Sequence, residues 1–254
     1  MSFNKSIQTI AIVLKSFDFG ESDKIFTLLS KDNGLIKSVA KGIKKTNSQF
    51  TGMLDLLNVN ELVIREGKGN LGLIIQCENY KTYPKLRLDY DKLIYSLYLG
   101  ELVILFPDNH SSEDIFNLLT TTLELIEDSS LPIIFVICFE IQFLKILGYQ
   151  PNFTMCDICQ CDLSDNKEKI AFSFKAGSVI CNKCLSWVKD YKIISNKTIY
   201  ILENLNSLDK NKMEKISNFE IDVLETAQNL LKEYLSYLSE KRIKTLSIIE
   251  KKFN

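Results

Sequence analysis

The chain of 254 residues is almost neutral, with 31 Lys and Arg residues against 32 Asp and Glu residues. Hydrophobic residues make up 46% of it, which excludes a disordered polypeptide. The longest apolar run, residues 133–139, is too short to cross a membrane, and the N-terminus lacks a hydrophobic signal core. Seven cysteines without a signal peptide favour a reducing cytoplasm over a disulfide framework.

Charge is distributed unevenly along the chain. Residues 1–85 carry twelve Lys and Arg residues against eight Asp and Glu residues, and residues 86–150 carry three against ten. Residues 151–254 carry sixteen against fourteen. This asymmetry indicates that different regions meet different partners.

The first third of the chain has the pattern of β-strands. Five runs rich in β-branched and apolar residues are separated by turns that contain glycine: residues 7–14, 24–29, 35–40, 56–65 and 71–80. Asn33-Gly34 predicts a two-residue hairpin with positive φ angles. Five short strands favour a small closed sheet, since closure leaves no exposed strand edge.

From residue 89 onward the apolar period becomes helical, and the break near residues 82–85 predicts two domains. We expect helices at residues 90–99, 112–126, 132–147, 196–205 and 219–238. Ser111 or Ser112 is a candidate N-cap for the second helix, and Pro132 and Gly148 bracket the third. The last helix carries an apolar stripe that we interpret as core: Ile221, Leu224, Leu231, Leu235 and Leu238.

The third helix is followed by a C-x2-C…C-x2-C pattern made by Cys156, Cys159, Cys181 and Cys184. Two such turns can supply four thiolates at the corners of a tetrahedron around Zn²⁺. Residues 170–174 and 179–180, joined by a turn, predict a small hairpin between the pairs, as in a zinc ribbon. A closed set of four thiolates predicts a structural metal rather than a catalytic one.

The other cysteines allow other interpretations. Cys161 is a spare thiol that could replace Cys159 as a ligand, although a bystander is the simpler interpretation. Either pair alone could also be a redox C-x-x-C motif. Cys77 and Cys138 lie in apolar runs and are interpreted as small buried side chains.

Several segments resemble the RecO family of bacterial recombination mediators. Residues 19–29 (FGESDKIFTLL) and 34–45 (GLIKSVAKGIKK) are similar to the opening of that family, and residues 240–246 (EKRIKTL) to its basic and apolar ending. The order of strand domain, helical domain and cysteine insert is also similar, so the resemblance spans nearly the whole chain.

The resemblance implies an α+β fold, with an N-terminal five-stranded OB-fold β-barrel at residues 1–83 and an α-helical domain at residues 84–254. The zinc-binding insert would occupy about residues 151–190. It also implies binding of single- and double-stranded DNA, annealing of complementary strands, and help in loading recombinase onto strands coated by single-strand-binding protein. The implied partners are RecR and the acidic C-terminal tail of single-strand-binding protein, and the implied location is the cytoplasm, at the nucleoid.

The residues themselves agree with DNA binding. Residues 31–45 hold five lysines against one aspartate, a pattern of either a solvated loop or a phosphate-contacting patch. The candidate backbone contacts are Lys37, Lys41, Lys44 and Lys45, with Lys24, Arg65 and Lys68 as second choices. Gly42 would let this loop bend. Phe17, Phe19 and Phe50 are candidate rings for base stacking, with barrel core as the alternative.

Enzyme motifs are weak by comparison. His110 is the only histidine and has no recognisable nucleophile elbow, so the sequence predicts no enzyme. Residues 66–70 contain two glycines but open no helix, and no His-x-Glu pair accompanies the cysteines as in a zinc deaminase. Two alternatives stay open: a thiol oxidoreductase using Cys156 and Cys159, and a zinc-ribbon interaction protein of the transcription or translation apparatus.

Overall fold

The structure is a computed structural model that describes residues 6–67, 69–108, 110–163, 170–205, 220–239 and 241–246. It divides into two compact units. Unit 1 consists of Met1–Asp128 and Ile243–Asn254, and unit 2 consists of Ser129–Arg242. The domain boundary predicted from the sequence, between residues 83 and 84, stays a prediction. The two units are units of packing, and unit 1 includes residues on both sides of that boundary.

Unit 1 is built on a closed barrel of five strands: β1 (Ser6–Phe19), β2 (Asp23–Ser30), β3 (Gly34–Ala40), β4 (Val59–Arg65) and β5 (Leu71–Lys81). Their order around the barrel is β1-β2-β3-β5-β4, with β3 and β5 parallel and all other pairs antiparallel. The predicted five-stranded OB-fold barrel is confirmed.

The barrel is filled by side chains that alternate along its strands, as a small barrel requires. Ala11 and Val13 of β1, Phe26 and Leu28 of β2, and Leu62 of β4 belong to this core. The core also takes in the Phe50 ring, which is only 4% exposed. Of the two roles that the sequence allowed for Phe50, barrel core is therefore the one found, and its ring is not accessible for base stacking.

The turn between β2 and β3 differs from the predicted one. Ser30 pairs with Gly34 across the turn, which leaves three residues in the loop, and Gly34 has the positive φ of 64° while Asn33 does not. The backbone N–H groups of Asp32 and Asn33 donate to Ser30 Oγ. This side chain stabilises a three-residue loop that closes on glycine, so the two-residue Asn-Gly hairpin was wrong.

Two helices pack with the barrel in unit 1, after a short 3-10 helix at Pro84–Leu88: α1 (Tyr90–Leu105) and α2 (Ser112–Asp128). The Asp89 side chain caps α1 by accepting from the N–H groups of Asp91 and Lys92. The segment that contains Lys244 and Thr245 also contacts α1. The Glu101 carboxylate accepts from the backbone N–H of Lys244 at 2.9 Å and from that of Thr245 at 2.8 Å.

Unit 2 contains α3 (Ile133–Ile146), α4 (Asn196–Asn204) and α5 (Ile221–Leu238), and α5 packs against both other helices. Pro132 precedes α3, and Gly148 follows it with a φ of 79°, as the sequence predicted. In the apolar stripe of α5, Leu224, Leu231 and Leu235 are buried, but Ile221 is 51% exposed, so its assignment to the core was wrong.

The cysteine insert of unit 2 forms a three-stranded antiparallel sheet of order β7-β6-β8: β6 (Ile170–Ser173), β7 (Ser178–Cys181) and β8 (Lys192–Ile194). The hairpin of β6 and β7 is the predicted one, with Gly177 in its turn at a φ of 62°. The sequence did not predict β8, which has only three residues. Among the described residues of the whole chain, no helix has the length and apolar character that a membrane span needs.

Candidate nucleic-acid and metal sites

Four lysines gather where β3 leaves the barrel beside the β1–β2 hairpin, and we call them the lysine cluster: Lys24, Lys41, Lys44 and Lys45. Lys24 lies on β2, where it pairs with Ala40 at the end of β3. Lys41, Lys44 and Lys45 follow directly in the next loop and are exposed. The structure therefore brings together four of the seven DNA-binding candidates predicted from the sequence.

Asp23 holds this loop against the hairpin. Its Oδ1 accepts from the backbone N–H of Gly42 at 2.8 Å and from Ser22 Oγ at 2.9 Å. Gly42 has a φ of 68°, a conformation that glycine adopts at little cost, and the N–H of Lys44 donates to the carbonyl of Ser22 at 3.0 Å. The lysines are thus attached to an ordered loop.

The same hydrogen bonds affect the acidity of Asp23. The Gly42 N–H, with the Ser22 hydroxyl and the charges of Lys41 and Lys45, holds the pKa of Asp23 below its ordinary value. A lowered pKa means that this carboxylate stabilises the fold above its ordinary pKa, and that the contribution is lost as the pH falls through the lowered value. The loop is therefore held most firmly when Asp23 is ionised.

Lys44 differs from the other lysines of the cluster because it forms an ion pair. Its Nζ lies 2.8 Å from Asp18 Oδ2 and donates to the carbonyl of Gly20 at 3.4 Å. The hydrogen bond from Lys44 lowers the pKa of Asp18. A phosphate that binds Lys44 has to compete with this exposed ion pair.

Two aromatic rings are exposed near the lysine cluster, on the face of β1 opposite to Asp18. Phe17 and Phe19 lie two residues apart on β1, on the same face as the exposed Lys15, and their side chains are 45% and 50% exposed. Asp18, between them, pairs with Lys24 on the neighbouring strand. These two of the three predicted rings are available to contact a ligand.

Two further DNA-binding candidates lie on a different part of the barrel. Lys37 is on β3 and lines a cavity of about 620 Å³ between β3 and the loop that joins β4 to β5. Arg65 ends β4, is partly buried, and pairs with Leu73 of β5. The structure thus separates Lys37 and Arg65 from the lysine cluster, and Lys68 is outside the described residues.

The four cysteines predicted as ligands converge in the insert. Cys181 ends β7, Cys184 lies in the 3-10 helix Asn182–Trp187, and Cys156 and Cys159 lie in the turn that follows α3. The sulfurs of Cys156, Cys159, Cys161 and Cys181 all lie within 4.8 Å of one another. The Cys184 thiol interacts with those of Cys181, Cys159 and Cys156. Five thiols therefore form one cluster.

The backbone around the first pair is arranged to support thiolates. The N–H of Cys181 donates to Cys156 Sγ at 3.4 Å, and the N–H of Cys161, directed at the Cys159 sulfur, lowers the pKa of that thiol to about 6. Gln160 makes this turn possible with a φ of 58°, an uncommon conformation for a residue with a side chain. Stabilised thiolates are the form that binds metal ions.

The thiol cluster fits a tetrahedral metal ion. Four sulfurs at about 2.3 Å from Zn²⁺ lie about 3.8 Å from each other, and Cys159 Sγ and Cys181 Sγ are 3.7 Å apart. Cys156, Cys181 and Cys184 are buried. The site can bind a metal ion. The ligand set Cys156, Cys159, Cys181 and Cys184 stays a prediction, and the structure places Cys161 beside Cys156, Cys159 and Cys181 as a further candidate.

The remaining cysteines have no part in this cluster. Burial raises the pKa of the Cys138 thiol to about 12 and that of the Cys77 thiol to about 11, so both are protonated at neutral pH. Cys138 is buried as predicted, whereas Cys77 is only half-buried against the barrel core. His110 lies in an exposed loop, where its backbone N–H donates to Asp108 at 2.8 Å.

Comparison with known proteins gives consistent results over the whole chain. Proteins named DNA repair protein RecO from Pelotomaculum thermopropionicum and Desulforamulus reducens are each 29% identical to it, over 95% of this chain and 92% and 93% of their own lengths. A protein of the same name from a Nostoc species is 26% identical over 98% of this chain and 97% of its own length.

Two family descriptions match consecutive parts of the sequence. Recombination protein O N terminal matches residues 1–83, the part that contains the barrel. Recombination protein O C terminal matches residues 87–247, which include the thiol cluster. Since these matches cover nearly all of the chain, it belongs to the recombination protein O (RecO) family.

Proposed function

We propose that the chain is a mediator of DNA repair and homologous recombination that binds single- and double-stranded DNA and anneals complementary strands. The observation that carries this proposal is the family match over residues 1–83 and 87–247. The lysine cluster on the barrel supplies a physical basis for it, since exposed cations on an OB-fold can follow a nucleic-acid backbone.

Binding at the lysine cluster is mainly electrostatic. Exposed lysines neutralise phosphates and release the counterions condensed on DNA. Phe17 and Phe19 add two half-exposed rings on which bases of a single strand can stack. Neither kind of contact reads base edges, so the affinity depends strongly on salt and little on sequence.

Annealing follows from the same charges without a catalytic group, and we propose that the protein is not an enzyme. Two complementary strands repel each other through their phosphates, and a protein that neutralises both lowers this barrier. Base pairing then supplies the free energy that drives the reaction. The chain needs only to hold the strands and release the duplex.

The proposed partners follow from family membership. We propose that RecR and the acidic tail of single-strand-binding protein bind this chain, and that it helps to load recombinase onto strands that carry that coat. Lys37 and Arg65 are proposed as additional DNA contacts outside the lysine cluster. We propose that the protein acts in the cytoplasm, at the nucleoid.

We propose that the thiol cluster binds one structural Zn²⁺ through Cys156, Cys159, Cys181 and Cys184. When bound, the ion would supply folding energy to the insert, because its ligands are far apart in the unfolded chain. A set of four thiolates leaves no position for substrate or water, so the ion has no catalytic role here.

Asp18→Asn is expected to strengthen DNA binding by freeing Lys44. The substitution removes the carboxylate that holds Lys44 Nζ at 2.8 Å and raises the local charge by one. One additional phosphate contact should steepen the slope of log Kobs against log salt by about 0.7 for a single strand. Fluorescence anisotropy with a labelled oligonucleotide over a salt series measures both quantities.

Glu21→Gln is the matched control for this experiment, since it removes an exposed carboxylate from the same hairpin. No ion pair is recorded for Glu21 among the described residues, so this change should affect affinity only through net charge. If Asp18→Asn and Glu21→Gln gave the same salt slope, competition between Asp18 and phosphate for Lys44 would be disproved.

Cys184→Ser is expected to keep the metal ion at reduced affinity, because Cys161 can take the fourth position. The sulfurs of Cys161, Cys156, Cys159 and Cys181 already lie within 4.8 Å of one another. Cys161→Ser should also keep the ion, whereas the double variant should lose it. Zinc content and the thiolate charge-transfer band of the Co²⁺-loaded protein report the number of sulfur ligands. Complete loss of metal in Cys184→Ser would contradict the replacement by Cys161.

A strand-annealing assay tests the proposed function against its alternatives. The purified protein should accelerate annealing of complementary oligonucleotides, both naked and coated with single-strand-binding protein. A thiol oxidoreductase would anneal neither and would hold no metal. A zinc-ribbon protein of the transcription or translation apparatus would hold zinc but leave naked strands unannealed. Failure to anneal by metal-loaded protein would therefore reject the proposal.

A further inference from the structure

The insert exposes two large aromatic side chains that neither the barrel nor the thiol cluster uses. Trp187, the only tryptophan of the chain, ends the 3-10 helix that carries Cys184 and is 71% exposed. Tyr191, just before β8, is 40% exposed. Exposed aromatic rings offer faces on which a ligand can pack.

Positive charge is interleaved with these rings. Lys183 and Lys189 are exposed on the same stretch, and Asp190 is its only acidic residue between residues 182 and 193. Lys192, which is partly buried, forms an ion pair with Glu233 of α5. We refer to Lys183, Trp187, Lys189 and Tyr191 together as the ribbon surface.

The backbone of the ribbon surface is held at both ends. Cys181 and Cys184 anchor its start in the thiol cluster, and Lys192 in β8 pairs with Phe172 of β6 at its end. The N–H of Val188 donates to the carbonyl of Leu185 at 3.2 Å within the stretch. A surface that is already ordered loses little conformational entropy when it binds.

We propose that the ribbon surface is a second binding site for single-stranded DNA, in which bases stack on Trp187 and Tyr191 while Lys183 and Lys189 contact phosphates. Alternating rings and cations match a single strand, whose bases are unstacked and whose phosphates repeat along the chain. A duplex hides the faces of its bases and gains less from this site. The inference rests on the proposed DNA binding of the chain.

A protein partner fits the ribbon surface less well. The centres of protein interfaces are depleted in lysine, and here two exposed lysines lie beside the two rings. Two sites in one chain would also suit annealing, since each could hold one strand. The lysine cluster in unit 1 and the ribbon surface in unit 2 would then bind different strands.

The single tryptophan makes the test direct, because all indole emission comes from the ribbon surface. Titration of the zinc-loaded full chain with oligothymidine should quench this emission to saturation, as base stacking on the indole requires. A blunt duplex of the same length should quench it much less. Lys183→Glu with Lys189→Glu should weaken the quenching, whereas Lys175→Glu with Lys197→Glu, which changes the same charge at exposed positions of unit 2, should not.

A second measurement isolates the ribbon surface from the barrel. In a chain that carries Lys41→Glu, Lys44→Glu and Lys45→Glu, Trp187→Ala should lower the remaining affinity for oligothymidine by about fivefold to 150-fold, the loss of one base stack. Trp187→Phe keeps a ring and should lower it far less. With the lysine cluster intact, Trp187→Ala should still slow annealing.

The outcomes separate this inference from the proposed function. DNA binding detected by anisotropy with unchanged Trp187 emission would overturn the ribbon surface and leave the proposed function in place. If neither anisotropy nor Trp187 emission responded to DNA, both the ribbon surface and the proposed function would be rejected. Emission that responds to a protein partner but not to DNA would assign the ribbon surface to protein docking and also overturn the inference.

Discussion

A chain that carries Lys41→Glu, Lys44→Glu and Lys45→Glu should bind single-stranded DNA on the order of 100-fold more weakly at low salt and should no longer anneal strands. The three lysines lie on one loop, and the substitutions change its charge by six units. Each lost phosphate contact removes about 0.7 from the salt slope for a single strand, so the slope should become shallower by about 2. Anisotropy over a salt series and an annealing time course measure the two effects.

Two control variants separate position from net charge and from folding. Lys145→Glu, Lys175→Glu and Lys197→Glu make the same change in charge at exposed positions of unit 2 and should leave annealing largely intact. Substituting Gln at the three cluster positions removes charge without adding repulsion near Asp18 and Asp23, and should give an intermediate effect. Equal loss in the unit 2 variant would mean that total charge, not the lysine cluster, drives annealing.

The barrel could be predicted from the sequence because the residues that specify each strand and each turn are close together in the chain. Runs of β-branched and apolar residues such as residues 10–14 specify strands, and turn residues specify where strands end. The prediction for the β2–β3 turn was wrong because it used the turn residues alone and not the side chain before them. The Asn33-Gly34 pair favours a two-residue loop, but the Ser30 hydroxyl accepts two backbone N–H groups and stabilises a longer one.

The lysine cluster was predictable in composition but not in arrangement. Sequence proximity placed Lys37 with Lys41, Lys44 and Lys45, whereas the strand direction carries Lys37 to the cavity beside β5. The contacts that hold the loop join residues that are distant in sequence. Gly42 binds Asp23 across 19 positions, and Lys44 reaches Asp18 across 26. No local pattern encodes these pairs.

For the thiol cluster, the sequence predicted the position of the site but not the part that Cys161 takes in it. The spacing of Cys156, Cys159, Cys181 and Cys184 identified the site, because two C-x2-C turns bring four sulfurs together. The place of Cys161 depends on the positive φ of Gln160, which turns the chain back toward Cys159. The ribbon surface was missed because Trp187 and Tyr191 lie in irregular backbone and next to a three-residue strand, where no hydrophobic period is visible.

Cys181→Ser should have the second large effect, on stability rather than on DNA contact at the lysine cluster. Its sulfur lies 3.7 Å from Cys159 Sγ, and its own N–H donates to Cys156 Sγ, so its loss removes a thiolate from the centre of the cluster. Structural zinc contributes about 10–16 kcal/mol in small zinc-binding peptides. Losing even part of this should lower the melting temperature by about 10 °C, since 1 kcal/mol corresponds to about 2–4 °C at this chain length.

Metal content and DNA binding together decide what the thiol cluster does. We expect about one zinc per chain in the purified protein and in Cys77→Ser, a control that removes a thiol outside the cluster, and clearly less in Cys181→Ser, where Cys161 is the remaining substitute ligand. Anisotropy below the melting temperature should show that Cys181→Ser retains binding through the lysine cluster in the barrel of unit 1. Purified protein without zinc, or Cys181→Ser with unchanged melting, would remove the structural metal from the proposal and favour thiol chemistry at Cys156 and Cys159 instead.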